Sequence, residues 1–163
     1  MTRHHHSFAR ESLITGLLGA AAVALWFLVV DLIGGRPLST PSVLGQVILF
    51  GKTDPVVSPV LWPALFAYTS LHLAAFLVFG MLVTWLVFQS DRSGLALFAL
   101  FMLSVAFEVF FLGLVAMLSL GTTLFPAWSV LGANGLAIVA MAGYLIARHP
   151  ALRRRLARDP LGA

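Results

Sequence analysis

Four long apolar segments constrain this chain more than any other feature of its sequence. A helix rises 1.5 Å per residue, so about 20 apolar residues cross the roughly 30 Å hydrocarbon core of a bilayer. The segments do not alternate as barrel strands would, and backbone in lipid must satisfy its own hydrogen bonds. The sequence therefore predicts an all-α bundle of four transmembrane helices, with spans at about 13–33, 62–88, 95–120 and 124–147.

The composition is typical of a chain that uses lipid as its solvent. Hydrophobic residues make up 60% of the 163 residues and charged residues only 10%, too few to cover a soluble domain of this length. The absence of cysteine excludes thiol catalysis and iron–sulfur ligation. We expect residues 1–163 to form a single membrane domain, with one long outside loop at 34–61 and a basic tail at 148–163.

The positions of the basic residues predict the orientation of the bundle. Arg3 and Arg10 precede the first span and Arg92 lies between the second and third, whereas Arg36 and Lys52 fall on the opposite side. Five more arginines follow the fourth span: Arg148, Arg153, Arg154, Arg155 and Arg158. The positive-inside rule then places both termini in the cytoplasm of a bacterial inner membrane, as a multi-pass protein. We expect this basic rim to meet anionic inner-leaflet lipids, not nucleic acid.

The loop at 34–61 is the only long connection between spans, and it is predicted to contain a short interfacial helix. Thr40 is expected to cap this helix, Pro41 fits its first turn, and Gly51 can end it. Such a helix would lie on the membrane surface or fold over the bundle. A lid over an opening is the functional alternative.

Small residues recur at four-residue intervals along the first span, at Ser12, Gly16, Ala20 and Ala24. Such a stripe lets another helix backbone approach closely. Two interpretations stay open: packing inside the bundle, or contact with a membrane-protein partner or a second copy of the chain.

Three spans each place their most polar side chain near mid-membrane. His72, Glu108 and Asn134 are expected within about 5 Å of one level, from the rise per residue. Glu108 is the one charge in the run 95–120, and an ionisable group there costs roughly 2.5–3.5 kcal/mol on insertion scales. These residues are therefore candidates for binding a ligand or a proton. Three further candidates lie near them in the sequence: Tyr68, Ser104 and Asp31.

Several chemistries could use this polar layer. His72 and Glu108 could share a proton, hold a buried ligand such as a quinone or lipid head group, or bind a metal ion. Two ligands are too few for a secure metal site, and no cofactor is predicted. The same groups could instead only hold helices together, at about 0.6 kcal/mol each. The three histidines at 4–6 could form a further metal site, could be the remnant of a tag, or could occur there by chance.

Two segments carry a resemblance to known proteins. The segment from Phe107 to Gly113, together with the turn from Asp31 to Leu38, resembles small bacterial four-span membrane proteins of uncharacterised function. The resemblance covers most of the chain and implies the four-span fold, and it supplies no activity.

The sequence supports two main functional hypotheses. The leading one is a non-enzymatic accessory or structural subunit of a larger membrane complex, because the chain is small, its soluble loops are short and its first span carries the small-residue stripe. The alternative is a ligand-, proton- or metal-binding protein for transport or redox that uses the His72/Glu108 pair. An enzyme acting on a lipid, with Glu108 as general base, is less favoured, since the chain has no phosphate loop, nucleophile elbow or HExxH motif.

Overall fold

The computed structural model describes residues 7–90, 95–118, 126–150 and 152–154. Over these residues the chain contains helices and no strand. In chain order the main helices are α1 (Phe8–Ile33), α2 (Ser39–Ile48), α3 (Trp62–Ser90), α4 (Leu95–Leu118) and α5 (Ala127–Arg148). The histidines at 4–6, the turn at 91–94, the link at 121–123 and the tail beyond 154 lie outside the described residues.

Three of the helices are long and apolar enough to cross a membrane, namely α1, α3 and α5. In α4 the apolar stretch is shorter within the described residues, from Phe98 to Gly113. Large apolar side chains remain exposed along these helices; Leu25 is 60% exposed and Val139 is 68% exposed. Lipid is the solvent that such surfaces require. The prediction of an all-helical membrane chain is thus confirmed, with three candidate spans.

Two glycines bring α1 and α3 into backbone contact. A Cβ atom added at Gly80 would lie 2.6 Å from the Cα of Gly16 and 2.8 Å from the carbonyl oxygen of Ser12. A Cβ atom at Gly16 would lie 2.7 Å from the carbonyl oxygen of Phe76. Small residues allow this close approach in helical membrane proteins. Of the small-residue stripe on α1, Ser12, Gly16 and Ala20 are buried in the chain and Ala24 is exposed.

The other side of α1 packs against α5. The indole Nε1 of Trp26 donates a hydrogen bond to the carbonyl oxygen of Ser129 over 2.8 Å, and its ring meets Trp128 edge-on at 6.4 Å. A Cβ atom at Gly132 would lie 2.5 Å from the Trp26 ring. Helix α1 therefore lies between α3 and α5, and the buried core between them consists of Ala20, Val23, Phe76, Ala133, Ala137 and Met141.

A buried polar bridge joins the start of α1 to the end of α5. The imidazole Nε2 of His149 lies 2.7 Å from a carboxylate oxygen of Glu11, and their side chains are 12% and 4% exposed. The ring of Phe88 packs edge-on against His149 at 5.2 Å. Contacts among the start of α1, the end of α3 and the end of α5 thus close this end of the described structure.

Candidate functional site

Asp31, at the end of α1, fixes the start of α2. Its buried carboxylate accepts hydrogen bonds from the Ser39 hydroxyl at 3.0 Å, the Thr40 hydroxyl at 2.6 Å and the Thr40 amide at 2.8 Å. A carboxylate at this position satisfies free N–H groups and complements the helix dipole. The helix begins at Ser39 after Leu38, which has a left-handed φ of 64°. The prediction that Thr40 caps the helix was therefore wrong, because Asp31 supplies the acceptor.

The rest of the 34–61 segment is tied back onto α2. Gln46 donates to the carbonyl oxygen of Val56 at 2.8 Å and accepts from its amide at 3.0 Å. The hydroxyl of Ser42 accepts a hydrogen bond from the Leu61 amide at 2.9 Å. At Gly45 a Cβ atom would collide with the backbone of Ala64 on α3. The predicted short helix is thus present, and it is folded over one end of α1 and α3.

A cavity of about 330 Å³ lies beneath this cap, between α1, the first turn of α2 and α3. Its wall is almost entirely apolar, with side chains such as Ala24, Leu28 and Leu65. The polar side chains that line it are Asp31, Thr40, Tyr68, Thr69 and His72. Candidate residues that were distant in the sequence, Asp31 on α1 and Tyr68 and His72 on α3, therefore meet at one site.

His72 is held at this wall by a contact with α1. Its Nε2 atom lies 3.2 Å from the carbonyl oxygen of Ala20. Because a carbonyl oxygen only accepts, Nε2 carries the hydrogen in this bond. The ring of Tyr68 is stacked against the imidazole at 5.9 Å with an angle of 27° between the planes, and Phe76 packs on it at 4.8 Å.

The remaining polar groups of the cavity wall differ in whether they have a hydrogen-bond partner. The Thr69 hydroxyl donates to the Leu65 carbonyl at 2.8 Å within its own helix. In the described part of the chain, neither the Tyr68 hydroxyl nor Nδ1 of His72 has a hydrogen-bond partner. Neither atom is among the fully buried unpaired atoms found over the same residues. Each of these two atoms therefore keeps some accessible surface and has no hydrogen-bond partner in the described part of the chain.

The other members of the polar layer form a separate contact between α4 and α5. Asn134, which is 4% exposed, donates from Nδ2 to Glu108 Oε2 over 3.3 Å. The Ser104 hydroxyl bonds the Leu100 carbonyl of its own helix at 3.0 Å. The hydrogen bonds of the described residues thus pair Glu108 with Asn134 and His72 with Ala20, and none joins His72 to Glu108.

The contact between α3 and α4 explains this division. Phe107 stacks on Phe79 at 4.4 Å and meets Phe76 edge-on at 5.9 Å. Successive residues on a helix lie about 100° apart, because one turn takes 3.6 residues. The face of α4 that contacts α3 is therefore aromatic. Glu108, the next residue after Phe107, lies on the side of α4 that contacts α5.

No group of three or more metal-ligating side chains occurs within the described ranges. Sequence reasoning missed the Ala20 carbonyl, since a backbone acceptor leaves no trace in residue types. It also missed the Glu11–His149 bridge, although an acidic residue so close to an apolar span was a signal that could have indicated it.

The helices and the cavity together define a helical membrane protein with an apolar cavity at one end and a small polar patch in its wall. No family model, curated protein or solved structure matches the chain.

Proposed function

We propose that this protein is a non-enzymatic integral membrane protein that binds a small lipid-soluble molecule in the cavity between α1, α2 and α3. The cavity carries this proposal: about 330 Å³ with an apolar wall and two polar atoms that lack a partner in the described chain. Ligand sites of roughly 300–1,000 Å³ commonly combine an apolar lining with a few placed polar groups. Ligand binding is the alternative that the sequence left open, with Tyr68 beside His72 in place of Glu108.

The proposal includes a position in the cell. Four spans with both termini in the cytoplasm of a bacterial inner membrane would follow from the distribution of arginines. Asp31 and α2 would then lie at the outer side, and the cavity would open in the outer leaflet. Arg10 and Arg148, which are both exposed, would lie at the inner surface.

That the protein is an accessory subunit stays a prediction. The small-residue stripe on α1, one of the features that favoured it, is largely explained by packing within the chain. Three of the four small residues on α1 are buried, and Gly16 is in contact with the backbone of α3. Native mass measurement in mild detergent tests this function, because a stable lone monomer would argue against a subunit of a larger complex.

A cavity-filling substitution tests ligand binding. Ala24 lines the cavity and is exposed, so a phenylalanine there would occupy the space without entering the core. Ala21→Phe is the matched control, because Ala21 is exposed on the same helix and does not line the cavity. Each protein is purified in mild detergent, and its bound small molecules are identified by mass spectrometry.

We expect one class of small amphiphile to be enriched with the wild-type protein and with Ala21→Phe, and to be lost from Ala24→Phe. Equal amounts of bulk phospholipid with all three proteins, and no enriched species, would contradict ligand binding at this cavity.

A further inference from the structure

We infer that the ligand is an uncharged amphiphile whose hydroxyl group is held between Tyr68 and His72, with its apolar body in the cavity. This inference rests on the proposed function and names the chemical class that the site would take. It is carried by two polar atoms of the wall that have no partner in the described part of the chain, by the absence of lysine and arginine among the described lining residues, and by the cavity volume.

The contact with Ala20 sets the hydrogen-bonding character of His72. Nε2 donates to the carbonyl oxygen at 3.2 Å, so in the neutral imidazole Nδ1 has no hydrogen and can only accept. Since no described residue donates to Nδ1, this side of the ring offers a hydrogen-bond acceptor to a bound molecule.

Tyr68 supplies the complementary group. It lies one helical turn before His72 on the same face of α3, with its ring stacked on the imidazole at 5.9 Å. The phenolic hydroxyl can donate a hydrogen bond. A donor and an acceptor carried by two stacked rings match a group that both accepts and donates. An alcohol or phenol hydroxyl does both.

The charges around the cavity disfavour an ionic head group. Among the described residues that line it, none is lysine or arginine, so a carboxylate or phosphate would have no cationic partner. Asp31 lines the cavity too, but its oxygens already accept three hydrogen bonds from Ser39 and Thr40. A cationic amine would compete with these bonds. An uncharged head group can bind without competing for the hydrogen bonds of Asp31 and without needing a cationic partner.

The cavity volume limits the apolar body. A volume of about 330 Å³ is at the small end of the roughly 300–1,000 Å³ range of ligand sites. The apolar body that we propose is therefore small, such as a chain of about ten carbons or a small ring system.

Photolabelling tests the inference in nanodiscs of phosphatidylcholine. Four probes share a diazirine-bearing ten-carbon chain and differ in head group: alcohol, methyl ether, carboxylic acid and amine. The labelled fraction and the labelled peptides are measured by mass spectrometry, with and without excess unlabelled decanol. Tyr68→Phe removes only the hydroxyl donor, and Ser70→Ala is its control, because Ser70 is exposed and bonds the Phe66 carbonyl of its own helix.

We expect the alcohol to label the cavity peptides of the wild-type protein and of Ser70→Ala in a saturable way. The loss of one neutral hydrogen bond should lower this labelling about threefold to tenfold in Tyr68→Phe. The methyl ether can accept from Tyr68 but cannot donate to Nδ1 of His72, so it should label the wild-type protein about threefold to tenfold less than the alcohol does. Equal labelling by alcohol and ether, or stronger labelling by acid or amine, would overturn the hydroxyl assignment while ligand binding stands. If no probe gives saturable labelling that Ala24→Phe removes, the proposed function itself fails.

Discussion

His72 on α3 donates a hydrogen bond from Nε2 to the backbone carbonyl of Ala20 on α1, over 3.2 Å. This bond links the two most closely packed helices at the level of the cavity. It also orients the imidazole, because the nitrogen that faces α1 must carry the hydrogen. Under the proposed function, ligand recognition would depend on the spacing of α1 and α3, to which the close approach of Gly16 and Gly80 contributes.

The glycine contact should be sensitive to a single methyl group. In Gly80→Ala the new Cβ would lie 2.6 Å from the Cα of Gly16, so the backbones must separate, at about 1–3 kcal/mol in the free energy of unfolding. Gly143→Ala on α5 is the control, since nothing lies within 4 Å of its added Cβ. It should be neutral or stabilising by up to about 1 kcal/mol. Denaturant unfolding in detergent measures both, and equal effects would contradict the contact.

Asp31 should be needed for the order of α2. In Asp31→Ala the hydroxyl groups of Ser39 and Thr40 and the Thr40 amide lose their acceptor. We expect hydrogen exchange over 39–48 to rise about tenfold or more, because each bond to a carboxylate contributes about 1.5–3 kcal/mol. Asp54→Ala, at an exposed position, serves as the control and should exchange like the wild type. Unchanged protection in Asp31→Ala would show that Asp31 does not anchor the helix.

The bridge between Glu11 and His149 should couple the start of α1 to the end of α5. Both side chains are largely buried and lie 2.7 Å apart, so removing either partner should lower the free energy of unfolding by about 1–3 kcal/mol. A double-mutant cycle with Glu11→Ala and His149→Ala isolates the pair from the other contacts of each residue. The double variant should lose less than the sum of the two single losses. Strict additivity would show that the pair contributes nothing.

The Glu108–Asn134 contact should behave as a structural bond. Glu108→Gln keeps an oxygen acceptor for Nδ2 of Asn134 and should change stability by less than about 0.5 kcal/mol. Glu108→Leu leaves the buried amide of Asn134 unpaired and should cost about 1–3 kcal/mol. Neither variant should change ligand retention, because Glu108 does not line the cavity. Loss of ligand in Glu108→Gln would contradict the separation of the two polar contacts.

Residue positions along the helix axes were predictable from the sequence, but the faces that helices present to one another were not. Glu108 and Asn134 lie at one depth by residue counting, and they are hydrogen-bonded. His72 lies near the same depth, but it faces α1. Counting residues predicts the depth of a side chain along its helix axis. Which neighbouring helix the side chain contacts depends on packing, here on Phe76, Phe79 and Phe107 between α3 and α4.

The cap and the cavity show a similar limit. A short helix within 34–61 followed from turn residues, and it is present. Its acceptor, Asp31, belongs to another helix and is eight residues from Ser39, so a local capping rule selected Thr40 instead. The small-residue stripe on α1 was visible in the sequence, but a single glycine on α3, Gly80, gave no periodic signal.

The most direct test of ligand binding is an experimental density map of the protein purified with its native lipids. We predict elongated non-protein density in the cavity, with its polar end within about 3.2 Å of the Tyr68 hydroxyl and of Nδ1 of His72, as hydrogen bonds require. An empty cavity, or one closed by protein side chains, would contradict the account. So would an acyl chain that merely continues from the surrounding bilayer and makes no polar contact with either residue.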